Sequence, residues 1–172
     1  AAAYFSAFPE IIHASRVEFY GRSKHPPEDG VNALLSFIYA LIRNDVTSAL
    51  EQVGLDPAAG FSHTLRPGRQ SLALDMMEEM RIPLGDKLAA SLLNLGQINE
   101  THFDALAAPA SLSEKGRRIV VEKYQKRKYD IIQHPFLKEK MQLGLVPLIQ
   151  ARILAETLRG GIDDYVPYCP EL

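Results

Sequence analysis

Apolar residues recur at helical spacing along most of this chain. In "GVNALLSFIYALIRNDVTSALEQVG", Val31, Leu34, Leu35, Ile38 and Leu41/Ile42 follow the i, i+3, i+4 pattern. Val46, Ala49 and Leu50 extend it, and Gly54 ends it. The first turns are apolar nearly all round, which predicts a central helix. "AAAYFSAF" reads as helix from residue 1, with no Ser, Thr, Asp or Asn before it to cap it. "SLALDMMEEMR" predicts a further helix with Ser71 as its N-cap. Pro83 interrupts, and "LGDKLAASLLNLG" resumes the pattern as far as Gly96. "QINETHFDALAAPASLS" is a connector with a short extended piece around Leu106 to Leu112. Ser113 then caps a long amphipathic helix, "EKGRRIVVEKYQKRKYDIIQ", with Ile119, Val120, Tyr124, Ile131 and Ile132 inward and Pro135 closing it. "LVPLIQARILAETLRGG" is the last helix, and the tail "IDDYVPYCPEL" reads as irregular. Strand signals are too few for a sheet, so the pattern predicts an all-α domain of about six to eight helices.

Composition narrows the class. The 172 residues suit one domain or a little more, and 47% hydrophobic with 23% charged residues describes a folding chain. No apolar run reaches the roughly 18 residues that a membrane span needs, so no membrane partner is expected. The single cysteine, Cys169, has no internal disulfide partner, which fits a reducing cytoplasm. A net charge of −2 does not mark a nucleic-acid binder. The distribution is more telling: basic residues gather in "YGRSKHPP", "RPGR", "KGRR" and "YQKRK", and acids in "PEDG", "MMEEM" and "GIDDY".

Candidate chemistry centres on "GFSHTLRPGRQSLALDMMEEMR". Asp75 and Glu78 are three apart on a helix and share a face, where two like charges call for a cation or an arginine between them. With His63 in the preceding loop they form a hard oxygen and nitrogen donor set suited to Mn²⁺ or Mg²⁺. The plainer alternative is a solvated carboxylate pair and a surface histidine. Leu72, Ala73, Met76 and Met77 around the acids favour burial. Arg66, Arg69 and Arg81 either bind phosphate through their guanidinium forks or neutralise acids on their own helix. Tyr20, Arg22, Lys24 and His25 are either DNA contacts or a loop with N-cap chemistry around "PPED". Asn32, Ser36 and Tyr39 lie on one stripe of an otherwise apolar helix, as a satisfied buried network or as the floor of an active site. Lys123, Lys126, Arg127 and Lys128 read as a solvated basic face, with phosphate contact as the lesser alternative, and His134 as structural.

The ordered set of "EFYGRSKHPPEDGVNALLSFIYALIRNDVTSALEQVGLDPAAGFSH", "RPGRQSLALDMMEE", "LSEKGRRIVVEKYQKRK", "GLVPLIQARILAETLRG" and "DDYVPY" resembles the CRISPR-associated endonuclease, the integrase of spacer acquisition. The match covers most of Arg16 to Glu79 and resumes in the later segments, and the tail resembles the subtype I-C form. This resemblance implies an all-helical catalytic domain over residues 1–172, holding Mn²⁺ or Mg²⁺ with a histidine and acids. His63 matches the family histidine, Glu78 the downstream acid and Asp75 a neighbouring acid. With the family in view, Asn32, Ser36 and Tyr39 are expected at the floor of the site, and Arg22, Lys24, Arg66, Arg69 and Arg81 on DNA.

The family's first glutamate is expected upstream of residue 1, because it precedes an "AAxYF" element that here is residues 1–5. The N-terminal β-rich dimerisation domain is expected to be missing too. The fragment is therefore expected to bind metal weakly and to be nearly inactive. The parent is expected to be a prokaryotic cytoplasmic homodimer acting on DNA, both spacer precursor and repeat array, with a small second CRISPR adaptation protein. A non-enzymatic helical module that binds nucleic acid or protein is the rival reading, and a nucleotide phosphohydrolase a third.

Overall fold

A computed structural model describes residues 2–12, 17–19, 21–23, 26–63, 66–104 and 107–170. Arg16, Tyr20, Lys24, His25 and Leu106 lie outside the described residues. The chain is mostly helical. Its helices are α1 (Ala2–Ile11), α2 (Gly30–Gln52), α3 (Ser71–Met77), α4 (Lys87–Asn94), α5 (Glu114–Lys128) and α6 (Val146–Leu158). They fall into two compact units, Ala1–Tyr39 with Gly85–Lys126, and Ala40–Leu84 with Arg127–Leu172.

In the first unit Phe8, Leu34, Leu35, Ile38, Leu92 and Leu93 are buried, as the helical apolar spacing requires. Asp29 starts α2: its carboxylate accepts the Asn32 backbone N–H at 2.7 Å, the N-cap geometry that relieves an orphan donor. This is the cap chemistry read in "PPED". Ser113 caps α5 as expected, its hydroxyl accepting the Gly116 N–H at 3.2 Å. Phe103 and Leu112 form an isolated antiparallel bridge.

In the second unit α2 stops at Gln52 and turns through Gly54, whose φ is +78°. The Leu55 N–H then reaches back to the Leu50 carbonyl at 3.0 Å, closing the helix end. α3 packs on α6. Ile42, Leu50, Met76, Met77, Met80 and Ala151 are buried.

Four expectations are corrected. Ser71 is the first residue of α3 and fully buried, not its cap. Instead the Pro57 carbonyl accepts from the Leu72 and Ala73 N–H groups at 2.8 and 3.2 Å. Pro83 does not break the helical path. A 3₁₀ turn (Glu78–Met80) and a π-helical segment (Arg81–Asp86) carry the chain through it, since a widened turn accommodates the loss of the hydrogen bond that the proline N–H would have made. α5 stops at Lys128, and Ile131–Gln133 is a strand, β1, paired antiparallel with β2 (Lys140–Gln142). Ile131 is consequently exposed rather than inward. Finally, Arg127 and Lys128 are not a solvated face. The Arg127 Nε–H donates to the Pro83 carbonyl at 2.6 Å, and Lys128 pairs with Asp45 at 2.8 Å.

Candidate active site

The loop after α2 closes onto α3 through one carboxylate. Gly60 makes the approach possible, since a Cβ there would lie 2.6 Å from Ser71 backbone and side-chain carbons. The next three residues then turn their N–H groups onto Asp75. Phe61 and Ser62 donate to Oδ2 at 2.8 and 2.9 Å, and His63 to Oδ1 at 3.0 Å. The His63 ring completes the set, with Nδ1 2.5 Å from Oδ1. The Asp75 side chain is only 1% exposed, against 29% for His63. Burial pushes the Asp75 carboxyl up. The Ser62 N–H, the imidazole, and the Phe61 and His63 N–H groups outweigh it and hold the carboxyl below its usual range.

An ionised Asp75 accepts the proton on Nδ1 and so selects one imidazole tautomer. The lone pair then sits on Nε2, which has no hydrogen-bond partner among the described residues. Carboxylate–histidine pairs of this kind orient metal-binding imidazoles elsewhere.

Glu78, one turn on, is exposed and pairs with Arg81 at 2.8 Å. This is the contact expected of an arginine that neutralises an acid on its own helical run. Glu79, missed by the sequence reading, faces a different set. It accepts from the Tyr165 hydroxyl at 2.6 Å, the Tyr168 backbone N–H at 2.7 Å and the Gln150 amide at 2.9 Å. Burial and the Glu79 carboxylate push the Tyr165 phenol far above its ordinary range. Gln150, fully buried, also accepts from His134 Nε2 at 3.1 Å. Burial lowers the His134 pKa, partly offset by Gln150 and Glu79. The irregular tail is thereby strapped to the helical turn beside Glu78. A lone glutamate in "MMEEM" carried no sign of this.

The polar stripe of α2 belongs to the first unit and resolves to a satisfied network. Arg22 donates to the Asn32 side-chain oxygen at 2.8 Å and the Ser36 hydroxyl at 3.4 Å, and its guanidinium lies 5.5 Å from the Tyr39 ring centre and 5.9 Å from that of Phe5. The Tyr39 hydroxyl donates to buried Asp86 at 2.5 Å. The Arg22 guanidinium is thus turned to these rings and side chains, and Asn32, Ser36 and Tyr39 take part in hydrogen-bonded networks.

Among the described residues no group of three or more His, Cys, Asp or Glu side chains forms a metal cage. His63 Nε2 and the exposed Glu78 carboxylate are donors of the type that a hard divalent cation takes. Asp75, already accepting four hydrogen bonds, fits as the group behind the histidine. The set suits Mn²⁺ or Mg²⁺ in chemistry but is short of the six oxygen or nitrogen ligands these ions take.

A family model described as "CRISPR associated protein Cas1" matches residues 1–126. The chain is 51% identical over 171 residues to a Chlorobaculum tepidum protein named CRISPR-associated endonuclease Cas1 1, covering 98% of this chain and 50% of that one. Its fold matches a Cas1 protein from Thermotoga maritima with a TM-score of 0.84 at 28% identity, over 92% of this chain and 49% of the other. A chain of a structure described as a partial Cas6-RT-Cas1–Cas2 complex matches with a TM-score of 0.77 at 25% identity, over 99% of this chain and 51% of that chain. The chain spans about half the length of these relatives. A family match over residues 1–126, with half of all aligned residues identical to a named member, places the chain in the CRISPR-associated Cas1 family.

Proposed function

We propose that the protein containing this chain cuts and rejoins DNA phosphodiesters during CRISPR spacer acquisition. The Asp75–His63 pair carries this reading: a buried carboxylate fixes the imidazole so that one ring nitrogen is left as a donor. His63 and Glu78 would hold Mn²⁺ or Mg²⁺. Such an ion, when bound, would supply Lewis acidity towards a phosphoryl oxygen.

The chain's own residues do the rest. Asp75 keeps the His63 tautomer and stabilises positive charge that builds on the ring. Arg81 holds Glu78 in place until a cation competes for it. The loop Phe61–His63 is kept rigid by its three N–H contacts, which preorganises the site. With a DNA 3′-hydroxyl as nucleophile the outcome is integration, and with water it is hydrolysis. Two donors bind a hard cation weakly, so the 172-residue chain alone is expected to be a poor enzyme. The relatives' names support an endonuclease, and a Cas2-type protein is the partner proposed, since one matched chain is part of a Cas1–Cas2 complex. The reaction is assigned to the prokaryotic cytoplasm, and dimerisation to the longer protein.

The test is strand transfer and nicking with Mn²⁺ in the full-length protein. His63→Ala is expected to abolish both. Asp75→Asn, which perturbs the tautomer, is expected to cost about 10- to 100-fold. Full activity in His63→Ala would overturn the proposal. Binding of DNA with no Mn²⁺-dependent rise in melting temperature would favour a non-enzymatic binding module.

A further inference from the structure

A second feature of the same unit lies on the turn leading into α3. Residues Arg66–Arg69 form a β-turn. Pro67 presets its second position, Gly68 takes a φ of +73°, and the Arg69 N–H donates to the Arg66 carbonyl at 3.0 Å. The two arginines therefore stand at the two ends of one tight turn. The Thr47 hydroxyl of α2 donates to the Gln70 side chain at 3.2 Å, tying helix to turn. Arg43 is four residues before Thr47 and shares its helix face. The result is an open depression of about 440 Å³ walled by Arg43, Arg66 and Arg69, with Gln70 and Leu74 at its side.

Among the described residues none of these three guanidinium groups is paired with a carboxylate. Three unneutralised forks around one hollow repel one another and favour an anion between them. Their planar donor geometry matches phosphate. The openness of the hollow suits a phosphate carried on a large surface better than an enclosed small molecule, and Leu74 offers an apolar wall for a sugar face.

We propose that Arg43, Arg66 and Arg69 clamp one phosphate of a DNA duplex backbone. This rests on the DNA reading above and extends it by a residue, Arg43, and by a defined hollow. Gln70 adjoins Ser71, the first residue of α3, so a clamped strand is linked through a rigid turn to the helix that holds Asp75. The clamp reads no base, because phosphate contacts set position and not sequence.

The test is equilibrium binding of a fluorescently labelled duplex without metal, over a salt series, with melting temperature as the folding control. Arg43→Ala is expected to weaken binding about fivefold to tenfold. The Arg43/Arg66/Arg69→Ala triple variant is expected to lower the slope of log affinity against log salt by about 1, the loss of one phosphate contact. Arg43→Lys is expected to keep the slope and recover only part of the affinity. A triple variant that folds and binds with unchanged affinity and slope overturns the clamp, as does a wild-type chain that does not bind the duplex. Competition by inorganic phosphate far beyond that of chloride at equal ionic strength marks a free-phosphate site, and likewise overturns it. His63→Ala separates the two proposals. It tests strand transfer alone, whereas metal-free duplex binding by the triple variant tests the clamp, so either proposal can fail alone.

Discussion

Two groups of arginines in this molecule carry the same charge and have opposite fates. Arg22, in the first unit, is half-buried between the Phe5 and Tyr39 rings and donates to Asn32 and Ser36. Arg43, Arg66 and Arg69, in the second, surround a hollow and face no carboxylate among the described residues. Acceptors decide the difference. A guanidinium with carbonyl and hydroxyl oxygens around it is a structural tie. One held by a turn and a helix, with no acceptor supplied, is left to meet an anion from outside. The carboxylates divide the same way, with Asp75 enclosed by donors and Glu78 exposed beside one arginine.

The largest effect is expected at the enclosed acid. Asp75→Ala strands three N–H donors at a site where the side chain is 1% exposed. It is expected to cost about 3 kcal/mol or more, read by chemical denaturation. A cost under about 1 kcal/mol would break the contrast between enclosed and open groups.

Arg22→Ala should come next, at about 2 kcal/mol, since it removes one of the two donors to the Asn32 oxygen, leaving the Ser23 N–H, and also removes two ring contacts. Gly60→Ala should cost about 1–3 kcal/mol, because the new methyl meets Ser71 atoms at 2.6 Å. Its cost should fall with Asp75 already replaced, as a double-mutant cycle would show.

Acid sharpens the comparison further. The folded state prefers ionised Asp75, so its contribution is complete above the unfolded value of about 3.9 and disappears as pH falls through the lower folded value. His134 is held neutral, so its contribution is complete above about 6.5 and is lost from there downward. Stability measured against pH should therefore fall in two stages, and Asp75→Asn should remove only the more acidic one. Smallest of all, Arg43→Ala should change stability by less than about 0.5 kcal/mol while weakening DNA binding.

Much of the architecture was legible from period alone. The 3.6-residue pattern located α2, α4 and α6, Gly54 marked a helix end, and Ser113 marked a beginning. The errors have local causes. Ile131 and Ile132 continued a helical pattern, yet as β-branched residues they suited a short hairpin equally well. Pro83 argued for a break, but a π turn and the Arg127 contact to its carbonyl carry the helix past it. The site was half legible. His63, Asp75 and Glu78 stood out as a donor set, but their spacing gave the two acids equal roles, whereas the fold gives them different ones. Glu79 and Arg43 carried no mark, since their partners are 71 to 89 residues away for Glu79 and come from a separate loop for Arg43.

The sequence by itself determined the helices, because apolar spacing and turn residues act within a few positions of one another. It also determined the family, through an ordered set of segments. Only the tertiary structure decided which charges are enclosed and which are open. That depends on where backbone N–H groups and carbonyl oxygens from distant segments come to rest, and helical period contains no information about it.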